Sequence, residues 1–184
     1  MLSLNSPSKF PEFLVVLPAR MNAKRLPGKP LIKLGGIPII ERTYMGVKSM
    51  FANVVVATDS DEIISHCLEK RIPAIKTGAH HTNGTTRMLE AYQKLGTEYK
   101  YVINVQGDEP FINENVLAPL CELLIQSKPV AATLKAPVSP NDTGSNVFVV
   151  TDLFDRALYF SRSTIPAEHH SSTERFQHVG VYAF

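Results

Sequence analysis

Residues 13–30, FLVVLPARMNAKRLPGKP, join an unbroken apolar run to a loop that carries four cations and no acid. The run Phe13–Leu17 is short and apolar, which is typical of a buried strand in a parallel sheet. Open α/β sheets bind their ligands at the carboxyl ends of the strands, so a cationic loop there favours an anion such as phosphate. A solvated charge run is the alternative that this stretch alone leaves open. The four cations are Arg20, Lys24, Arg25 and Lys29.

Length and composition indicate one globular domain. The chain has 184 residues, 44% of them hydrophobic, and a net charge of +2, so nothing in the bulk charge favours nucleic acid or a membrane as partner. No stretch is long enough to span a membrane, and residues 1–12 resemble a loose extension rather than a signal peptide. Cys67 and Cys121 form no CxxC pair, and we expect reduced, buried thiols in a cytoplasmic protein.

Strand and helix patterns alternate along the chain as far as Pro137. Strands are predicted at 13–17, 53–58, 73–76, 101–106 and 130–136, and helices at 37–50, 61–70, 87–95 and 113–127. In the last helix the residues expected to face inward are Val116, Leu120, Leu123 and Leu124. The alternation predicts an α/β fold, a three-layer, mostly parallel doubly wound (Rossmann-like) sheet. Three further strands, at 147–150, 157–161 and 178–184, follow without long helices between them.

A second candidate loop covers residues 77–86, TGAHHTNGTT, just before a predicted helix. A glycine, hydroxyl groups and an arginine at a helix start can hold an anion or hydrogen-bond a planar base. An ordinary helix N-cap is the alternative, and the residues alone favour it. The candidate binding residues here are Asn83, Gly84, Thr85 and Arg87.

A third candidate loop, Gln106–Pro110, follows the predicted strand at 101–106. Asp108 comes directly after a glycine at the end of that strand, so its carboxylate is expected to reach the same cleft. Mg²⁺ is commonly held by one or two carboxylates together with substrate phosphates. A turn-capping aspartate is the alternative. Taken together, the three loops predict nucleotidyl or phosphoryl transfer.

Four segments, in order, resemble the sugar-acid cytidylyltransferases. They are PARMNAKRLPGKPL (18–31), VINVQGDEP (102–110), ALYFSRSTIP (157–166) and HVGVYAF (178–184). The last two are more similar to the 3-deoxy-manno-octulosonate (KDO) cytidylyltransferases than to the CMP-sialic acid synthetases. The resemblance implies a fold of the nucleotide-diphospho-sugar transferase type over residues 13–184. It also implies a reaction, in which CTP and KDO give CMP-KDO and pyrophosphate with Mg²⁺, for lipopolysaccharide synthesis.

The resemblance also implies roles for single residues. Arg20 and Lys29 would bind the triphosphate and, with Asp108 on magnesium, form the catalytic set. The nucleotide would further contact Lys24, Arg25, Asn83, Gly84, Thr85, Arg87 and Gln106. The sugar acid would contact Tyr159, Ser161, Arg162 and His178, and a homodimer is implied as well. Without the resemblance, Tyr159 reads as a core aromatic and His178 as an ordinary strand histidine.

Departures from the family pattern leave alternatives open. Asn83 stands where the family has serine, Thr86 where it has an acid, and Phe148 where it has lysine. The family pattern also continues past the HVGVYAF strand, with an aspartate that is the second magnesium ligand. We therefore expect the 184 residues alone to be weakly active or inactive. The alternatives are a cytidylyltransferase for another sugar acid, such as an amino-KDO or a nonulosonic acid, and a non-catalytic nucleotide-binding remnant.

Overall fold

The computed structural model describes residues 9–22, 26–138, 146–167 and 174–184, and each predicted strand and helix is present within them. The chain divides into two compact units, Met1–Ala132 together with Val181–Phe184, and Thr133–Gly180. The predictions that residues 1–12 are an extension and that residues 13–184 form one domain stay predictions. Lys24 and Arg25 lie outside the described residues.

The first unit is a parallel sheet flanked by helices. Its strands are β1 (Phe13–Ala19), β2 (Lys33–Leu34), β3 (Ile37–Pro38), β4 (Asn53–Thr58), β5 (Ala74–Lys76) and β6 (Tyr101–Val105). Its helices are α1 (Ile39–Lys48), α2 (Asp61–Glu69), α3 (Gly84–Leu95) and α4 (Glu114–Ser127), with a 3₁₀ turn at Lys29–Leu31. The strands pair in the order β5-β4-β1-β6, all parallel, and Val181–Ala183 pair antiparallel to β6. This arrangement confirms the predicted fold class.

The central strand β1 is buried along its whole length, as its apolar run predicts. Leu14 and Val16 form one cluster with Val55 of β4 and with Met88 and Ala91 of α3. Because side chains alternate along a strand, Val15 and Leu17 face the opposite layer, and both are fully buried. A strand covered on both faces stabilises the fold by about 1.5–3 kcal/mol for each large apolar side chain. The buried strand β1 also fixes the position at which the loop after Ala19 begins.

Three local predictions are wrong: the first two missed a local helix cap and a local hairpin, and the third chose the wrong face of a helix. The segment 77–86 was expected to be loop, but α3 already begins at Gly84, where Asn83 caps it. The first helix begins at Ile39 rather than 37, because Ile37–Pro38 pair with Lys33–Leu34 in a two-stranded hairpin. In α4 the buried residues are Leu117, Leu120, Cys121 and Leu124, whereas Leu123 is 45% exposed and Val116 only partly buried.

The second unit contains mainly antiparallel strands. These are β7 (Ala132–Pro137), which begins at the unit boundary, β8 (Phe148–Thr151), β9 (Ala157–Ser161) and the first residues of β10 (Phe176–Ala183). β8 pairs with β9 and with Phe176–Gln177 of β10, antiparallel in both cases. No long helix occurs among the described residues of this unit, as the sequence predicts.

Both cysteines are buried and free, in agreement with the sequence-based prediction. Burial raises the pKa of the Cys67 thiol to about 11 and that of the Cys121 thiol to about 12. Both side chains therefore act as small apolar core residues rather than as nucleophiles. Of the helices in the described residues, none is both long and apolar enough to cross a bilayer.

Candidate functional site

A small cavity in the first unit lies at the carboxyl ends of the parallel strands. The register pairs Val16 of β1 with Asn104 of β6, so the loops that follow these two strands leave the sheet side by side. The cavity is lined by Pro18, Ala19, Arg20, His81, Asn83, Gly84, Arg87 and Gln106. The fold therefore brings together five residues that the sequence singled out from three separate loops.

The loop after β1 ends in a turn that positions Lys29. Gly28 has φ +72°, a left-handed conformation that glycine adopts without strain, and its N–H donates to the Met21 carbonyl at 2.8 Å. Lys29 then opens the 3₁₀ turn Lys29–Leu31, in which Pro30 is the buried residue. The order proline, glycine, lysine therefore fixes the backbone from which the ammonium group of Lys29 extends.

Lys29 and Asp108 form an ion pair although 79 residues separate them in sequence. The Lys29 Nζ lies 2.6 Å from Asp108 Oδ2, and the side chains are 35% and 41% exposed. The pair is half-buried, so both groups keep access to solvent and to a ligand. It joins the cationic loop to the loop after β6 and leaves the second carboxylate oxygen, Oδ1, outside the pair.

Gly107 sets the backbone that presents Asp108. Its N–H donates to the Pro18 carbonyl at 3.1 Å, and its own carbonyl accepts from Thr43 Oγ1 at 3.3 Å. A Cβ at this position would lie 2.9 Å from the Pro18 carbonyl oxygen and 2.8 Å from Ile40 Cδ1. Only glycine permits this close approach of the two loops. Desolvation by the surrounding protein atoms, with the nearby Asp108 charge, raises the carboxyl pKa of the neighbouring Glu109.

The amino end of α3 faces the same cavity. The Asn83 side-chain oxygen accepts from the Thr86 N–H at 2.9 Å, which is the N-cap that the alternative interpretation of this loop predicts. A Cβ on Gly84 would lie 3.0 Å from both Gln106 Nε2 and Pro18 Cγ, so glycine lets α3 begin against the sheet. Thr85 is exposed in the first turn. The positive end of a twelve-residue helix at this point favours an anion in the cavity.

Arg87 is mainly a buried structural residue. Its side chain is 4% exposed, and Nη1 donates to Thr77 Oγ1 at 2.6 Å and to the Gly78 carbonyl at 3.2 Å. The same nitrogen lies 3.3 Å from Asp59 Oδ1. These contacts tie the end of β4 and the loop after β5 to α3. A direct contact between Arg87 and a ligand stays a prediction.

Replacing Arg87 with methionine is expected to lower the free energy of unfolding by about 2–3 kcal/mol, because Thr77, Gly78 and Asp59 lose a buried, charged partner. Urea unfolding followed by circular dichroism measures the change. Lys100→Met is the matched control, because Lys100 pairs with Glu12 at the exposed surface and should contribute less than about 1 kcal/mol. Equal losses in the two variants would contradict the structural role of Arg87.

The four residues predicted to bind a sugar acid lie in the second unit. Tyr159 is 64% exposed, Arg162 is exposed and Ser161 is partly buried. His178 Nε2 lies 2.8 Å from Thr133 Oγ1, and burial lowers the pKa of its imidazole. Tyr159 is therefore not a core aromatic. His178 has the side-chain partner expected of an ordinary strand histidine.

The register of this sheet separates His178 from Tyr159 and Ser161. Phe160 pairs with Val149, which pairs with Phe176, so His178, two residues further on, shares the face of Phe160. The rings of Phe160 and His178 meet edge-to-face at 5.2 Å. Tyr159 and Ser161 project from the opposite face. The second unit thus brings Tyr159 and Ser161 together but not His178.

Sequence reasoning assigned no role to His81, which lines the cavity beside Arg20 and Gln106. Its side chain is 8% exposed and contacts the carboxylate of Glu90 on α3. A histidine three residues before a helix that begins with glycine was the available signal, but the pairing with Glu90 depends on how the loop folds onto α3.

Comparison with known proteins gives consistent matches over nearly the whole chain. The family model described as Cytidylyltransferase matches residues 14–184. The 3-deoxy-manno-octulosonate cytidylyltransferase of Polynucleobacter necessarius is 39% identical over 191 residues, which cover 98% of this chain and 75% of that protein. The enzyme of the same name from Francisella philomiragia is 40% identical, over 92% of this chain and 73% of that protein. This chain therefore spans about three quarters of the length of these relatives.

A solved structure agrees with the sequence relatives. It is described as CMP:2-keto-3-deoxy-manno-octonic acid synthetase complexed with CTP. It superimposes with a TM-score of 0.83 at 35% identity, and the alignment covers 94% of this chain and 73% of that one.

Proposed function

Since this chain belongs to the 3-deoxy-manno-octulosonate cytidylyltransferases, we propose that it transfers the CMP group of CTP to the sugar acid KDO. The 2-hydroxyl oxygen of KDO bonds to the α-phosphorus and loses its proton. The bond from the α-phosphorus to the bridging oxygen breaks, and pyrophosphate leaves. The product, CMP-KDO, is the activated sugar for lipopolysaccharide synthesis.

The observation that carries the proposal is that Arg20 lines the cavity and that the Lys29–Asp108 ion pair joins the loops that follow β1 and β6. Arg20 is exposed at the cavity mouth, and no described carboxylate forms an ion pair with it. Lys29 is neutralised by Asp108 at 2.6 Å. A polyphosphate brings the negative charge that both cations can bind, and charge on the leaving pyrophosphate is stabilised by the same groups.

The nucleoside end of CTP is proposed to bind between the start of α3 and the end of β6. Gln106 and Asn83 offer amide groups that can hydrogen-bond a planar base, and Gly84 keeps the backbone close to Gln106. Thr85 and Arg87 are proposed to contribute from the first turn of α3. Arg87 acts indirectly, by holding the loop after β5 through its hydrogen bond to Thr77. Lys24 and Arg25 are proposed as supporting phosphate contacts from outside the described residues.

Asp108 is the residue proposed to hold magnesium. The donor set fits this hard cation: the partly exposed carboxylate of Asp108 lies beside Lys29, and Mg²⁺ is usually bound by one or two carboxylates and substrate phosphates. Bound there, the ion would neutralise phosphate charge and make the α-phosphorus more electrophilic. With Mg²⁺ and CTP bound, Asp108 would face the ion and Lys29 the phosphates, and the ion pair between the two residues would balance their charges otherwise.

The acceptor side is proposed to include Tyr159, Ser161 and Arg162, with His178 supporting from the other face of the sheet. The guanidinium of Arg162 is exposed and suits the carboxylate of KDO in a two-point hydrogen bond. A cytoplasmic location and a homodimer are part of the same proposal. The free thiols of Cys67 and Cys121 suit a reducing compartment.

The proposal is tested by pyrophosphate release from CTP with Mg²⁺ and a panel of sugar acids. KDO is expected to give the highest kcat/KM among KDO, an amino-KDO and a nonulosonic acid. A higher value for another acid would change the acceptor and keep the reaction class. Binding of CTP by the folded chain without release, for any acceptor, would make the 184 residues a nucleotide-binding remnant.

A further inference from the structure

A second group of ligand-type side chains adjoins the cavity and shares His81 with its wall. His80 and His81, in the loop between β5 and α3, lie against Glu90, on the second turn of α3. Each residue has a nitrogen or oxygen ligand atom within 4.8 Å of those of the other two. We propose that His80, His81 and Glu90 bind one divalent transition-metal ion, of which Zn²⁺ is the representative, at a site separate from Asp108.

The loop places two adjacent histidines on the same side, which a strand would not do. Their ring centroids are 4.2 Å apart and the ring planes are inclined by 39°. A Cβ at Gly78 would lie 2.4 Å from His80 Nδ1 and 3.4 Å from Glu90 Oε2. The missing side chain of Gly78 therefore leaves the space into which both ligand atoms project.

Glu90 is held in place as an ionised ligand. Both of its oxygens accept from the Gly78 N–H, at 3.2 and 3.0 Å, and Oε1 lies 2.7 Å from Lys94 Nζ. The hydrogen bond from Lys94, then those from His81 and Gly78, lower the carboxyl pKa to about 2. Lys94 thus pairs with Glu90 Oε1, whereas Glu90 Oε2 faces the histidines.

The donor set selects the kind of ion. Two imidazoles and one carboxylate suit Zn²⁺, Co²⁺ or Ni²⁺, whereas Mg²⁺ prefers oxygen ligands alone. His81 Nε2 contacts Glu90 Oε2 directly, so the ion enters by separating these two atoms. Donors about 2 Å from one ion lie at most about 4 Å apart, so side-chain rotations suffice. His80 is exposed, which leaves an entry path and a position for water.

The arrangement has a consequence for the neighbouring cavity. His81 belongs to both the cluster and the cavity wall with Arg20 and Gln106. A metal ion would hold the His81 ring in one orientation. Metal binding itself does not depend on the proposed reaction, so it can be measured without nucleotide.

The test is isothermal titration of untagged, metal-free protein with Zn²⁺ alone, with Co²⁺ absorption as a second readout of nitrogen ligation. One ion per chain is expected, and millimolar Mg²⁺ should not displace it. His80→Ala and Glu90→Gln should each weaken binding by at least about 10-fold, because loss of even an outer-shell partner has that effect. Circular dichroism checks that the variants fold. Of the two substitutions, His80→Ala is expected to disturb folding less, because His80 is exposed.

His66→Asn is the matched control, because His66 Nε2 lies 3.2 Å from Glu41 Oε2 and forms a histidine–glutamate pair without a second histidine. Its affinity for Zn²⁺ should equal that of the unchanged protein. No binding by the unchanged protein, or equal binding by His80→Ala, would overturn the proposal. Displacement of Zn²⁺ by Mg²⁺ would exclude a nitrogen-ligated site.

Discussion

Replacing Asp108 with asparagine is expected to lower kcat for pyrophosphate release by at least about 100-fold, with little loss of stability. Asparagine keeps the size and one oxygen of the side chain but removes the charge that would hold Mg²⁺ and that pairs with Lys29. Removal of one preorganised electrostatic group from a reaction site typically costs about 100- to 1,000-fold. The measurement is steady-state release of pyrophosphate with saturating CTP and KDO over a range of Mg²⁺ concentrations.

Asp61→Asn is the matched control for this variant. Asp61 pairs with Lys76 on the surface, its side chain is 89% exposed, and it makes no contact with the cavity. The control should retain activity within about two-fold, as surface pairs contribute little. Full activity of Asp108→Asn at low Mg²⁺ would remove Asp108 from the proposed metal site. Unfolding of the variant would show that the ion pair is structural instead.

The central strands β1 and β4 were predictable because each is an apolar run with few competing interpretations. Asn53–Thr58 has the bounds that the sequence predicts, and β1 is two residues longer than predicted. Burial on both faces makes such runs continuous, so a local pattern is enough. Helix α4 shows the limit. Because residues 116–121 and 123–125 are all apolar, the pattern cannot choose a face, and Cys121 rather than Leu123 is buried.

The chemical type of the site was predictable from the sequence, but the contacts between its side chains were not. Cations after one strand and a carboxylate after another indicate an anion and metal site, because parallel strands end together. Composition could not show that Lys29 pairs with Asp108, or that Arg87 points into the fold. His178 gives the clearest case: its place on the face opposite Tyr159 follows from strand register, which depends on pairing between distant segments.

Lys29→Met is expected to lower kcat/KM for CTP by about 100-fold, because the ammonium group is proposed to bind the triphosphate and the developing charge on pyrophosphate. The matched control is Lys33→Met, which removes the same charge from an exposed position four residues further on. Lys33→Met should stay within about two-fold of the unchanged protein. Equal losses in the two variants would mean that net charge alone attracts the nucleotide.

Metal-free CTP binding separates Lys29 from its partner Asp108. Without Mg²⁺ the Asp108 carboxylate repels the triphosphate, so Asp108→Asn should bind CTP as tightly as the unchanged protein or more tightly. Lys29→Met should bind it more weakly, because it loses attraction and leaves Asp108 unpaired. Calorimetry with a chelator present gives both constants. Weaker binding in both variants would mean that Lys29 acts only by holding Asp108. Tighter CTP binding by Asp108→Asn together with weaker binding by Lys29→Met would make Lys29 a phosphate ligand in its own right. Two groups that act as one unit would instead lose affinity together.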